Sequence, residues 1–422
     1  MKKEVREGYK MTELGEIPEE WEVKRLDETS ELIDGDRSSK YPGNKDITDE
    51  GILFLSTQNI VNSKLVYENC KFITEDKFNE LGKGKLEKDD LVITLRGSIG
   101  NIAKFKGDKY ETGFINAQLM IIRSNNINSE YLNKYLNSYN SQNQINNISS
   151  GSAQPQLTKG DLKTLKIIVP TKEEQEKIAS ILSTVDEQID NTEKLIQKNQ
   201  ELKKGLMQQL LTKGIGHTKF KKTEIGKIPE EWEVLKLSDI ANVIDSLHET
   251  PEYSEQGFSM IRVVDVNGKA IDTSKTNKVS IDIYNKFTRK YKPQKDDIIM
   301  SRVGSYGGVS YLKDSENVCL GQNIVVINTR LNKRYLFYVL SSEYVKKNIE
   351  KLTVGSSQKT LSLANINDLK VLIPSEQEQE KIASLLSSVD EKIEEYENKK
   401  EKLEELKKGL MQQLLTGNIR VN

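Results

Sequence analysis

The chain has 422 residues, 36% of them hydrophobic and 30% charged, with 63 Lys and Arg against 64 Asp and Glu, a formal net charge of −1 and an isoelectric point near 6.4. That length suits two or three domains with a large charged surface, as long exposed helices give, and the near-neutral balance carries no global signal for a polyanion. No apolar run reaches the roughly 18–20 residues of a membrane span, the N-terminal MKKEVREGYK lacks an apolar signal region, and two cysteines without CxxC spacing argue against a disulfide frame or zinc site and fit a reducing cytosol, so a cytoplasmic protein is expected.

Residues 1–20 read as a lead-in, which opens the phrase IPEEWEV at Ile17–Val23. Residues 21–170 read as a mixed α and β domain, with β-rich runs at Leu91–Leu95, Leu119–Ile122 and Lys166–Val169 and one helical stretch near Tyr131–Tyr139. The tyrosines and leucines of that stretch recur at helical spacing and suit a core face better than a base-stacking platform.

Residues 171–213 form the clearest element. Thr171-x-x-Glu174 is a capping box with Pro170 just outside it, and apolar residues follow at spacings of four and three: Ile178, Leu182, Val185, Ile189, Ile196, Leu206 and Leu210. This is a heptad seam on a helix that Gly214 can stop. A second lead-in, 214–231, introduces IPEEWEV again at Ile228–Val234. Residues 232–374 repeat the domain pattern, with β-rich runs at Ile298–Met300, Ile324–Ile327 and Lys370–Ile373 and a helical stretch near Tyr335–Val345. Residues 375–417 repeat the helix, with Ser375-x-x-Glu378 as capping box, Gly417 at the stop, and a seam of Ile382, Leu386, Val389, Ile393, Tyr396, Leu403, Leu410 and Leu414.

The repetition is close. Residues 168–215 and 372–419 align without a gap at an offset of 204, with 29 of 48 positions identical, whereas the domains match only in outline. Near-constant helices carrying divergent domains present two different surfaces on one symmetric frame. A helix of about 42 residues is a rod of roughly 60 Å that cannot bury its seam alone. The two most simply pack on each other, and the repeated lead-ins favour an antiparallel pairing with a pseudo-twofold axis. The expected class is therefore α+β: two recognition-type domains separated by long helices in an intramolecular antiparallel coiled coil.

The missing motifs narrow the chemistry. His217 and His248 are the only histidines and sit in unlike contexts, so a histidine triad or metal centre is not expected. There is no GxxxxGK[ST] loop, no strand–GxGxxG–helix unit, and no Pro-Pro pair of the kind amino-methyltransferases use. The equivalent acid pairs Asp89-Asp90 and Asp296-Asp297 suit turn chemistry at strand starts.

Paired polar loops remain. Arg96-Gly97-Ser98-Ile99-Gly100 and Arg302-Val303-Gly304-Ser305-Tyr306-Gly307-Gly308 each follow a strand. Glycine permits close backbone approach, and Arg and Ser donate to phosphate oxygens or a guanine edge; the same pattern also suits an ordinary hairpin turn. A second pair runs 149–156 and 355–360. There Gln154, Gln156 and Gln358 match the N6/N7 edge of adenine, and Lys159 and Lys359 match phosphate. A third pair, Ser56–Asn59 and Arg262–Asp265, reads as strand ends. Lys104 belongs to a local basic patch between Leu95 and Arg123, and a second such patch spans Lys275–Arg302. These patches suit phosphates or simply solvated loops.

Together these features resemble the DNA-specificity subunit of Type I restriction–modification systems. The resemblance spans essentially the whole chain. It rests on the tandem order of domain and helix, the lead-in G-x-I-P-E-E-W, the strand–GS–G loops, and the P-x-x-x-E-Q-x-x-I-A phrase at Pro170–Ala179 and Pro374–Ala383. It implies that each domain is a target-recognition domain reading one half of a split double-stranded DNA target, and that the coiled coil is a ruler between half-sites. It also implies that two methyltransferase subunits dock on the chain, carrying S-adenosylmethionine, and that restriction subunits using ATP and Mg join them. The chain itself would have no active site, no cofactor and no membrane partner. On this reading the DNA contacts are expected at Arg96, Gly97, Ser98, Lys104, Gln154, Gln156, Lys159, Arg302, Ser305, Tyr306, Gln358 and Lys359. Two other readings are a fused methyltransferase–specificity protein, which the missing cofactor motifs oppose, and a coiled-coil adaptor that binds no DNA.

Overall fold

The computed structural model describes residues 5–149, 156–314, 317–353 and 360–421. The chain divides into two units, residues 1–192 with 399–422 and residues 193–398, so each unit contains a stretch of both long helices.

In the first unit, a four-stranded antiparallel sheet runs in the order Ile102–Lys104, Leu91–Thr94, Leu119–Ser124, Ser30–Asp34. A five-stranded mixed sheet of shorter strands contains the parallel pair Ile52–Leu55 and Gly113–Ile115. Alternation along a strand sends neighbouring side chains to opposite faces. Leu91, Ile93, Met120 and Ile122 therefore join the cluster that includes the long helices, while Val92, Leu119 and Ile121 join Leu53, Leu55 and Phe105 on the other face. Both faces are covered, which is why the strand Leu91–Thr94 is apolar throughout except for its last residue. The second unit repeats the pattern. Its sheet is Ala241–Asp245, Ile324–Thr329, Ile298–Ser301, Val309–Tyr311, with Ile298 and Met300 on the helix side and Ile299 on the other.

The repeated lead-ins close each domain. The strand Glu22–Arg25 pairs antiparallel with Lys166–Val169, and Glu233–Lys236 pairs with Lys370–Ile373, so the chain enters and leaves each domain beside the start of a long helix. Trp21 and Trp232 of the IPEEWEV phrase are fully buried, and their indole Nε1 atoms donate to Glu174 at 2.7 Å and to Glu378 at 3.0 Å. The closing glutamate of each helix-opening capping box is thus also the acceptor for the tryptophan of the lead-in phrase. Glu174 also accepts from the Thr171 hydroxyl at 3.0 Å.

The long helices are Lys172–Lys213 and Glu376–Leu414. In the first unit Ile178 and Leu182 share a buried cluster with Leu414 and Leu415; in the second, Leu210 and Leu211 share one with Ile382, Ala383 and Leu386. Low numbers of one helix meet high numbers of the other, so the pairing is antiparallel in each unit. Of the expected seam, Ile178, Leu182, Val185, Leu210, Ile382, Leu386, Ile393 and Leu414 are buried, and Ile189, Ile196, Leu206, Val389, Leu403 and Leu410 are half-buried. Leu211 and Leu415, absent from the expected seam, are buried beside the tryptophans.

The single helical stretch expected in each domain is two helices, Ser129–Leu136 with Tyr139–Ser149 and Lys333–Leu340 with Glu343–Thr353. The break comes where small polar residues compete for the backbone. Asn137 Nδ2 bonds the carbonyl of Asn133 at 2.9 Å, the Ser138 amide folds back to Tyr135, and the Ser341 hydroxyl bonds the carbonyl of Phe337 at 2.8 Å. Tyr131, Tyr135, Tyr335 and Tyr338 of these helices are buried core.

Candidate nucleic-acid interface

Backbone hydrogen bonds assemble one polar edge in each unit. In the first, the Asn116 amide bonds Leu55 O at 2.9 Å, the Leu95 amide bonds Gln118 O at 2.8 Å, and the Leu157 amide bonds Leu95 O at 3.0 Å. Four separate segments, around residues 56–59, 116–118, 95–98 and 156–157, are thereby held side by side at the end of the sheet. In the second unit, Gly321 bonds Ile261 O, Arg302 bonds Asn323 O and Leu361 bonds Arg302 O at 2.7, 2.8 and 2.8 Å. The same edge is built twice from different residues.

On the first edge Arg96, Gly97, Ser98, Gln118 and Gln156 are exposed. Arg96 Nε donates to Gln156 Oε1 at 3.2 Å, and Ser98 presents its side chain while its carbonyl accepts from Thr94 Oγ1. Lys159 is exposed with its ammonium 3.9 Å from Asp34. Arg37 adds a further cation, donating to Ala117 O at 3.1 Å. Asp36 accepts from Ser38 and from the Gly82 amide, and the Ser38 donors hold its carboxyl below the usual aspartate value.

Lys104 does not join this edge. Its strand returns antiparallel to Leu91–Thr94 and pairs Lys104 with Leu91, at the opposite end of the sheet. There its ammonium is bound by Asp89 at 2.9 Å and Glu130 at 3.1 Å, with the side chain 14% exposed. Lys104, expected at the DNA, thus stands away from this edge, in an ion network facing the long helix.

The second edge differs in its arginine. Arg302 Nη1 lies 2.9 Å from both oxygens of Asp245, and Nε donates to Leu361 O at 3.1 Å. These bonds use the guanidinium to fasten the loop, leaving the side chain 14% exposed. Ser305 is exposed, and Tyr306 packs half-buried against the core. His248 is exposed and 2.9 Å from Asp245, and Gln322 bonds Thr250 at 2.9 Å. Gln154, Gln358 and Lys359 lie outside the described residues. Arg37, Gln118, Gln322 and His248 were missed by sequence reading. Each is an isolated polar residue in its own loop, which sequence spacing does not single out.

The loops themselves are shaped by glycine. Gly100 and Gly307 have φ of +79° and +76°, and a Cβ at either would stand 2.8 Å from Ile145 or 2.7 Å from Ile349 of the following helix. Their requirement is internal packing of the loop onto the domain. Gly97, at φ +78°, faces open space. Among the described residues each edge is an array of donors and acceptors held by backbone bonds. Among the described residues no group of three or more His, Cys, Asp or Glu is placed to hold a metal.

Comparison with known proteins places this architecture. The family model described as Type I restriction modification DNA specificity domain matches twice, over residues 18–204 and 229–405. A putative type I restriction enzyme MjaX specificity subunit of Methanocaldococcus jannaschii is 32% identical, covering 98% of this chain and 97% of its own length. The MjaVIII specificity subunit of the same organism is 30% identical over 96% of this chain and 94% of its own. Among solved structures, a Type-I restriction–modification system S subunit from M. genitalium shares the fold with a TM-score of 0.62 at 19% identity, covering 94% of this chain and 96% of that one. The chain belongs to the family of type I restriction–modification DNA specificity proteins.

Proposed function

We propose that the chain is the non-catalytic reader of a type I restriction–modification enzyme, in which residues 21–170 and 232–374 each recognise one half of a bipartite duplex target. The observation that carries this reading is the contrast within the repeat. The family match occurs twice, the helices hold 29 of 48 positions constant, and the polar edges they carry share backbone bonds but not side chains. Constant helices suit two copies of one partner, the methyltransferase subunit with its S-adenosylmethionine, and divergent edges suit two unlike half-sites. Restriction subunits supplying ATP- and Mg-dependent cleavage complete the assembly. With a net charge of −1, the chain leaves part of the phosphate contact to those partners.

Exchange of residues 232–374 for the corresponding domain of another specificity subunit tests the reading. Methylated-adenine mapping in cells carrying the exchanged chain and its methyltransferase is expected to show one half-site replaced and the other kept. Insertion of a whole heptad in one long helix is expected to alter the gap between half-sites alone. An unchanged target after the domain exchange overturns the proposal.

A further inference from the structure

Each edge carries a one-turn 3-10 helix whose frame is constant and whose tip is not. These are Thr57–Asn59 and Val263–Asp265, which read from sequence as mere strand ends. The first turn is pinned by the Ser56 amide and hydroxyl donating to Asn59 Oδ1 at 2.8 and 3.0 Å. Asn59 is buried and bonds onward to Val66 O at 3.3 Å. The second is pinned by the Arg262 amide donating to Asp265 Oδ2 at 2.8 Å, with the Arg262 guanidinium folded onto the same carboxylate at 3.3 Å. Both turns follow the strands whose last carbonyls, Leu55 O and Ile261 O, receive the neighbouring loop of the edge.

At the equivalent tip positions stand Gln58, exposed, and Val264, 73% exposed. Isolated apolar residues on a surface are ordinary. Val264 is unusual in where it stands: on a turn fixed at both ends, in the row of loops that includes Arg302 and Gly304, where a Cβ on Gly304 would be 3.7 Å from Val263. A rigid frame with an exchangeable tip is the arrangement that direct base readout requires.

We propose that this tip is a specificity-determining position, and that Val264 packs on the C5-methyl group of a thymine in the major groove. Gln58, at the same place in the other domain, has the donor and acceptor that match the N6/N7 edge of adenine. The inference rests on the DNA-reading role proposed above and adds the residue and base chemistry. The apolar side chain has no hydrogen bond to give a phosphate, so its contribution depends on base identity.

The test uses the full-length chain with its methyltransferase subunits and duplexes selected from a randomised pool. Each thymine of the half-site assigned to residues 232–374 is then replaced by deoxyuridine, which removes only the methyl group. One position is expected to weaken wild-type binding about fourfold, the worth of one buried methyl group. Val264→Ala is expected to be indifferent to that replacement, and Val264→Gln to shift the selected base there. The proposal is overturned if no thymine in that half-site is methyl-sensitive, if Val264→Ala keeps the wild-type sensitivity, or if it weakens random and selected duplexes equally. Failure of the wild-type chain to select a second half-site at all would instead overturn the DNA-reading role of this domain, and this inference with it.

Discussion

Lys407 lies 2.7 Å from the carboxylate of Asp186, and both side chains belong to the long helices of the first unit. The second unit holds the same contact between Lys203 and Asp390 at 2.6 Å, and the paired residues are equivalents at the offset of 204. What the domain adds to the contact differs. In the first unit Lys134 donates to Asp186 at 2.6 Å and to Glu130 at 2.8 Å; in the second, the Tyr338 hydroxyl donates to Asp390 at 2.8 Å. One helix surface therefore accepts two different domains, by an ion network on one side and a tyrosine on the other.

This difference predicts unequal costs for the same substitution. Asp186→Asn leaves Lys134, whose side chain is 10% exposed, with one carboxylate where it had two. A loss of about 2–3 kcal/mol is expected in the first unit, against about 1 kcal/mol for Asp390→Asn, which loses the single lysine partner Lys203 and keeps an acceptor for Tyr338. Trp21 and Trp232 are the only tryptophans, one in each unit. Urea unfolding followed by fluorescence in Trp21→Phe and Trp232→Phe backgrounds reads the two losses separately.

Acid should loosen the same network. Burial pushes the Glu130 carboxyl up, but the hydrogen bond and charge of Lys134, joined by Lys104, outweigh it and hold the group at about 2. Asp186 is likewise lowered by Lys134 and Lys407 against its burial. A carboxylate depressed in the folded state contributes stability that is complete above its unfolded value, about 4.3 for Glu, and is lost as pH falls towards the folded value. The melting temperature reported by Trp21 is therefore expected to fall between pH about 4.5 and 2, and Glu130→Gln is expected to flatten that decline while lowering the plateau at pH 7.

The long helices were legible because their signals are local: a capping box, a seven-residue seam and a stopping glycine all lie on one stretch of chain. The same is true of the strands Leu91–Thr94 and Ile298–Ser301, whose apolar runs report burial on both faces. Leu211 and Leu415 were not legible as seam residues, because they pack beside Trp232 and Trp21 from lead-ins that sequence spacing cannot place. Arg96 and Arg302 head paired loops in sequence, yet the backbone bonds put Arg302 at the place of Leu95, one residue earlier, and there it is clamped by a carboxylate. The clamp, Asp245, sits 57 residues away and converges only through the order of strands in the sheet. Lys104 shows the converse: nearness to Arg96 in sequence becomes distance once the chain turns back and pairs Lys104 with Leu91.

Glycine at the strand-end loops gives a prediction that separates packing from DNA contact. Gly100→Ala places a Cβ at positive φ and 2.8 Å from Ile145 Cγ2, and Gly307→Ala does the same against Ile349. Each substitution is expected to cost about 2–4 kcal/mol, from backbone strain and overpacking together. Ile145→Ala in the Gly100→Ala background should recover the overpacking share and leave the strain. Thermal melts of the four variants of that cycle give the split, and equal costs with and without Ile145 would show that the helix is not what the glycine accommodates.

Arg420 provides the last prediction. Its guanidinium reaches Glu174 at 2.5 Å and Glu20 at 2.7 Å, beside the Tyr9 hydroxyl, which donates to Gly417 O at 2.9 Å. The Glu174 side chain is 6% exposed, and although burial raises its carboxyl, Arg420, Trp21 and Thr171 together bring it below the ordinary value. Glu378 has no arginine at the corresponding place; it accepts from the Ile215 amide at 2.8 Å and contacts His217 at 3.0 Å, both in the segment that follows the first long helix directly. Arg420→Met should therefore destabilise the first unit alone. The cost is about 2–3 kcal/mol at pH 7, because it strands a buried carboxylate. The loss should shrink as pH falls and Glu174 takes up a proton, and Glu174→Gln should remove most of the effect of Arg420→Met. A Trp232 signal that shifts as much as the Trp21 signal would contradict this assignment.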